Sequence, residues 1–127
     1  MPLGRMAQMI GVFIRGKHKP GYAYNRFDMG DKCVVVNASK VKVTGNKMDQ
    51  KIYRHYTGYV GNLKEIPMRE LVERHPDEIV RRAVKGMLAK NTIRNILLDR
   101  NLIIHAGPYH DHLSQNCLLY TSDAADE

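Results

Sequence analysis

Cysteine is scarce. The 127 residues hold two, Cys33 and Cys117, which make no disulfide framework and leave a reducing compartment as the default. Nowhere do 18 apolar residues run together, so a membrane-spanning helix is excluded. The opening MPLGRMAQMIGVFIRGKHKP has a short apolar run broken by Gly11 and Arg15, with no small-residue cleavage site after it, and reads poorly as a secretory leader. No G-x-x-x-x-G-K-[ST] pattern is present to cradle a nucleoside triphosphate, and neither H-E-x-x-H nor paired C-x-x-C to hold a metal. Acids are also few. Thirteen Asp and Glu face 20 Lys and Arg, a formal charge of +7 that points to a polyanionic partner, either nucleic acid or an anionic membrane surface.

What is present suits one domain, since 43% hydrophobic residues can build a modest core. The end of the chain differs in texture. CLLYTSDAADE, residues 117–127, is acidic and reads either as a natural acidic tail or, preferred, as one translated frame of a sequencing-library adapter. The expected domain is therefore 1–116, and without Asp123, Asp126 and Glu127 ten anions would face the same 20 cations, a charge of +10.

Leu3, Met6, Ala7, Ile10, Phe13 and Ile14 recur at helical spacing, predicting a helix over 2–15 that Gly16 stops. Lys17, His18, Lys19 and Pro20 follow at its negative end, where cations serve either as capping electrostatics or as a phosphate site. After a turn at 28–31, Cys33-Val34-Val35-Val36 reads as a buried strand of a parallel sheet. Gly45-Asn46-Lys47 marks a turn, and QKIYRHY suggests a second strand. A short helix is expected near Met68–Arg74. Pro76, Asp77 and Glu78 then open a longer one whose Ile79, Val80, Ala83, Val84, Met87 and Leu88 form one stripe, leaving Arg81, Arg82 and Lys85 outward. That rhythm breaks at 86–91, a further helix carries Ile93, Ile96 and Leu97 to a stop at Asn101, and LIIH is strand-like. Helices alternating with buried strands indicate a layered α/β domain with a small, mostly parallel sheet flanked by helices.

Two loops could carry chemistry. HYTGYVGNLK sets Gly58 and Gly61 among Tyr56, Tyr59, Asn62 and Lys64, which suits either an ordinary surface loop or close approach to RNA bases and phosphates. HAGPYHDHLSQ offers His105, His110, Asp111 and His112, too few ligands at defined spacing for a metal site, and otherwise a polar RNA contact or a plain surface loop.

Several pieces then fall in one order: LGRMA, RGKHKP, GD before an apolar strand ending in NA, TGNKMDQKIYRHYTGY, VKGMLAKN and AGPYHDHLSQ. Together they closely resemble the large-subunit ribosomal protein L-thirteen family of bacteria and organelles, over residues 3–115. The sequence departs from that family at Ala89, where proline is usual, and at Val60-Gly61-Asn62, where a proline-glycine pair is usual.

The resemblance implies a scaffold of the large ribosomal subunit with no catalytic residues, no cofactor, no membrane and no small-molecule substrate. Its partners would be large-subunit ribosomal RNA and neighbouring ribosomal proteins, in the mitochondrial matrix in preference to the bacterial cytoplasm. The RNA-facing residues carried over are Arg15, Lys17, His18 and Lys19; a strand over 47–55 with Lys47, Lys51, Arg54 and His55; the 56–64 loop with Tyr59 and Lys64; Lys85, Lys90, Asn91 and Arg94 at and beyond the basic end of the long helix; and His110 and His112. The family also carries a strand before the LGR helix, lying between the strands matching 33–37 and 102–105. This chain is therefore expected to lack a central strand, its two neighbours either pairing directly or leaving an open, sticky sheet. Two rival readings are a free-standing RNA-binding regulator and a metal-dependent hydrolase using His110, Asp111 and His112.

Overall fold

The computed structural model describes residues 1–26 and 30–109. The first apolar stripe closes one face of helix α1, Leu3–Arg15, where Leu3, Ala7, Ile10 and Ile14 are all buried. Gly16 ends it with a left-handed φ of 82°. The ending is a Schellman motif: the Lys17 N–H donates to the Val12 carbonyl and the Gly16 N–H to that of Phe13, both at 3.2 Å. The helix starts one residue later than the expected 2–15.

Strand β1, Cys33–Val35, is buried throughout, whereas Val36, expected to continue it, lies outside the strand and is half-buried. A single-turn helix α2, Lys47–Gln50, leads into β2, Ile52–Tyr56, which pairs antiparallel with β3, Leu63–Pro67. Three helices follow, α3 Met68–Arg74, α4 Pro76–Met87 and α5 Thr92–Asn101, before β4, Leu102–Ile104. β4 lies parallel to β1, with Cys33 opposite Leu102 and Val35 opposite Ile104. Parallel neighbours need a long crossover, and the intervening helices belong to it. The two strands pair directly, and the junction continues past the ladder. His105 donates its N–H to the Val35 carbonyl at 2.8 Å, and the Ser39 hydroxyl, on a 3₁₀ turn Ala38–Lys40, donates to the Ala106 carbonyl at 2.9 Å.

The core gathers where α4 packs on α1 and on β4. Ile79, Val80 and Val84 are fully buried there, each contributing about 1.5–3 kcal/mol by leaving water. Two expectations for α4 need correction. Met87 leaves the stripe and is 53% exposed. Arg81 and Arg82 are half-buried rather than outward: Arg81 donates to the Leu98 carbonyl at 3.3 Å, and Arg82 pairs with Glu78 one turn earlier.

The α/β layered class stands: among the described residues β1 and β4 form a small parallel sheet, and β2 and β3 add an antiparallel pair. The strand anticipated over 47–55 is helical through Gln50 and becomes extended only at Ile52. β3 carries a poor strand signature in the sequence, since Leu63-Lys64-Glu65-Ile66-Pro67 has two charges, a proline and a single β-branched residue. Its pairing with β2, not its own composition, makes it a strand.

Candidate nucleic-acid interface

The basic residues after α1 fold back on the protein. Arg15 is half-buried; its guanidinium donates to the Tyr24 carbonyl and lies 5.9 Å from the Tyr22 ring centroid. Asp31 accepts from His18 Nε2 at 2.9 Å and from Lys19 Nζ at 2.8 Å. The Lys19 hydrogen bond, with the charges of Lys19 and His18, holds the Asp31 carboxyl below the ordinary aspartate range against the opposing effect of desolvation. Gly30 makes this closure possible. A Cβ at that position would collide with the Ile14 carbonyl oxygen, so only glycine lets the chain pass. Asp31 then anchors its N–H on the Phe13 carbonyl at 3.0 Å, while the Phe13 ring meets His18 edge-on at 4.9 Å. Lys17 stays exposed and pairs with no acid among the described residues.

The β2–β3 hairpin separates its charges by face, since directly opposed residues share a side. Ile52 with Pro67, Arg54 with Glu65 and Tyr56 with Leu63 form one side, where Arg54 Nε meets Glu65 Oε1 at 3.1 Å. On the other, Tyr53 and Ile66 are half-buried against the body, and His55 stands opposite Lys64, both exposed. Gly58 and Gly61 turn the tip with φ of 95° and 78°, leaving Tyr59 74% exposed. Arg54 and His55, adjacent in sequence, therefore face opposite surroundings.

Where this hairpin meets the body, two cations flank the Tyr53 ring. Lys51 Nζ lies 5.5 Å and the Arg82 guanidinium carbon 5.3 Å from its centroid. Desolvation raises the Tyr53 phenol above the ordinary tyrosine range, so it stays neutral. Lys51, Tyr53 and Arg82 line a cavity of about 720 Å³ together with Arg5, Lys47 and the apolar Leu3 and Met68. Lys47 Nζ donates to the Thr44 hydroxyl at 3.4 Å. Sequence reasoning picked out Lys47 and Lys51 but missed Arg5 and Arg82. Arg5 sits on the exposed side of α1 and Arg82 on the long helix, and no local spacing signals that the fold brings them together.

At the α4–α5 junction Lys85 and Lys90 are exposed. Asn91 has a structural duty, because its Oδ1 accepts the Arg94 N–H at 3.1 Å and caps α5. Arg94 itself is half-buried. His110, Asp111 and His112 lie outside the described residues. Among the described residues, no three His, Cys, Asp or Glu side chains converge as metal ligands, and no helix is long and apolar enough to cross a membrane.

Residues 1–111 match the family model described as ribosomal protein L13. The chain is 49% identical over 114 residues to the large ribosomal subunit protein uL13 of Caldicellulosiruptor saccharolyticus, covering 90% of this chain and 79% of the relative. The Thermus thermophilus protein of that name is 48% identical over 113 residues, covering 89% and 79%. That of Methylococcus capsulatus is 50% identical over 113 residues, covering 89% and 78%.

Proposed function

The chain belongs to the ribosomal protein L13 family, and from that premise we propose that it is a structural constituent of the large ribosomal subunit that binds ribosomal RNA and supports subunit assembly and translation. Family membership makes it a ribosomal structural protein, not an enzyme, and the hydrolase reading of His110, Asp111 and His112 is set aside. The observation that carries RNA binding is the concentration of exposed cations about the hairpin. Lys47 and Lys51 border the cavity, while Lys64 is exposed on one side of the strands opposite the imidazole of His55. Lysines there supply the phosphate attraction, and Tyr59 at the tip offers a ring for an unstacked base.

Lys17, Lys47, Lys51, His55, Tyr59, Lys64, Lys85 and Lys90 form the primary RNA surface in this reading. Arg15, His18, Lys19, Arg54, Asn91 and Arg94 contribute through the shapes they hold, since Arg15, His18, Lys19, Arg54 and Asn91 engage partners within the protein and Arg94 is half-buried. His110 and His112 remain candidates by resemblance. The named relatives are bacterial, which supports a bacterial-type ribosome, in a bacterium or in the mitochondrial matrix; the genomic setting of the gene decides between them. Neighbouring ribosomal proteins complete the set of partners. Co-sedimentation through a salt gradient tests the reading: the protein should travel with large subunits after a salt wash. Recovery only in the free fraction would favour a free-standing RNA-binding regulator.

A further inference from the structure

The cavity beside Tyr53 is more specific than a track of surface lysines. At about 720 Å³ it falls in the range of small-molecule sites. Its lining divides by chemistry: Leu3, Met68 and Met87 supply apolar surface, whereas Arg5, Lys47 and Lys51 are exposed cations with no carboxylate paired to them among the described residues. Two acids lie close by and are already engaged, Glu78 on Arg82 and Asp49 on Arg69. Tyr53 fixes the cationic wall, because Lys51 and Arg82 both lie over its ring and Arg82 is also held by Glu78. Cations positioned in this way lose little freedom when an anion arrives. The first turn of α1, which contributes Leu3, Gly4 and Arg5 to the lining, has no side-chain cap, and its positive end favours a negative ligand.

We propose that this groove, framed by Arg5, Lys47, Lys51, Tyr53 and Arg82, receives an unstacked nucleotide of single-stranded ribosomal RNA. The base lies on the apolar lining and the Arg82 guanidinium plane, and its phosphates lie on Arg5, Lys47 and Lys51. This rests on the RNA-binding reading and adds to it a nucleotide-sized pocket, and it gives Arg5 and Arg82 roles that no local motif marks. Base insertion with cation and phosphate contact is the mode by which proteins read unpaired RNA.

The test uses the full chain, bacterial large-subunit RNA and ultraviolet cross-linking with peptide mapping, alongside the double variant R5Q/K51Q. Both substitutions are at exposed positions, and an unchanged urea midpoint establishes that the variant is folded. Expected are a cross-linked nucleotide on a peptide containing Tyr53, Met68 or Met87, its loss in the variant, and a salt-dependence slope shallower by about two, near one for each phosphate contact removed. If the wild type binds with the same slope as the variant, the groove is not used and the proposal falls, while RNA binding elsewhere survives. A shallower slope with no nucleotide on those peptides means phosphates pass the rim without insertion, which also overturns it. So do cross-links in assembled subunits from these peptides to another protein. Failure of the wild type to bind RNA at any salt removes the RNA-binding reading itself.

Discussion

The corner after α1 and the groove beside the hairpin are both rich in cations, yet they differ in what those cations touch. At the corner, Arg15 donates to a backbone carbonyl, and His18 and Lys19 converge on one carboxylate. At the groove, Arg5, Lys47 and Lys51 have no acid partner among the described residues. A run of basic residues therefore measures positive charge but not available positive potential. At the corner Arg15, His18 and Lys19 are engaged in closing a turn while Lys17 stays exposed, whereas the groove cations Arg5, Lys47 and Lys51 meet no carboxylate among the described residues.

The largest expected effect sharpens this contrast. With about six to ten phosphate contacts, RNA affinity should fall by roughly 10³–10⁵ between about 50 and 200 mM salt. Filter binding across that range should give a slope that decreases when Lys47 and Lys51 are replaced by alanine and changes little when His18 and Lys19 are. Equal decreases from both pairs would erase the distinction between corner and groove.

Next in size is Gly30→Ala, which attacks the corner through its shape. The new Cβ meets the Ile14 carbonyl oxygen, so either α1 or the chain bearing Asp31 must shift. Forced overpacking typically costs about 1–3 kcal/mol, and the urea midpoint should fall accordingly. Gly45→Ala is a useful contrast: its φ of 64° is strained for alanine but nothing lies within 4 Å, so its loss should be smaller. The reverse order would mean that the closure at Gly30 is not what holds the corner.

A third prediction separates two adjacent residues by the same criterion. Asn91→Ala removes the α5 cap and should cost about 1 kcal/mol, whereas Asn91→Asp keeps an acceptor and should cost much less. Lys90→Ala should leave stability within about 0.5 kcal/mol while weakening RNA binding. If Asn91→Ala folds as well as the parent and loses RNA affinity instead, the residue belongs with Lys90 on the RNA-facing side of the junction.

These pairs also mark where sequence reasoning stops. The stripe Leu3, Ala7, Ile10, Ile14 and the run Cys33-Val34-Val35 were legible because burial imposes a period, and the broken rhythm before Asn91 located the junction of α4 and α5. β3 was not legible, because a half-exposed hairpin places no such demand on its residues. The pairing of Lys19 with Asp31 was also hidden: both letters are present, but the Gly30 passage that brings them together is a steric fact of the fold. Resemblance to a family marked Asn91 and Lys90 alike, since a motif records position and not whether a side chain points to its own backbone or outward.

The smallest effect belongs to Asp31, and its direction follows from linkage. Its folded pKa lies below the unfolded value, near 3.9 for an unperturbed aspartate, chiefly because Lys19 hydrogen-bonds to the carboxylate and both neighbouring cations favour the charged form. The contribution to stability is then fully present above the unfolded pKa and is lost as pH falls through the lower folded value. The pair is about half exposed, with Asp31 at 48% and Lys19 at 40%, so solvent screens it and the gain is slight. Urea midpoints measured from neutral pH down to about pH 3 should therefore show a small acid-side loss that Asp31→Asn removes. Added salt should reduce the difference between the two proteins. An Asp31→Asn protein with the same acid profile as the parent would mean that the carboxylate at the corner is a bystander. The contrast between a corner whose cations are engaged and an open groove would then rest on the bond from Arg15 to the Tyr24 carbonyl.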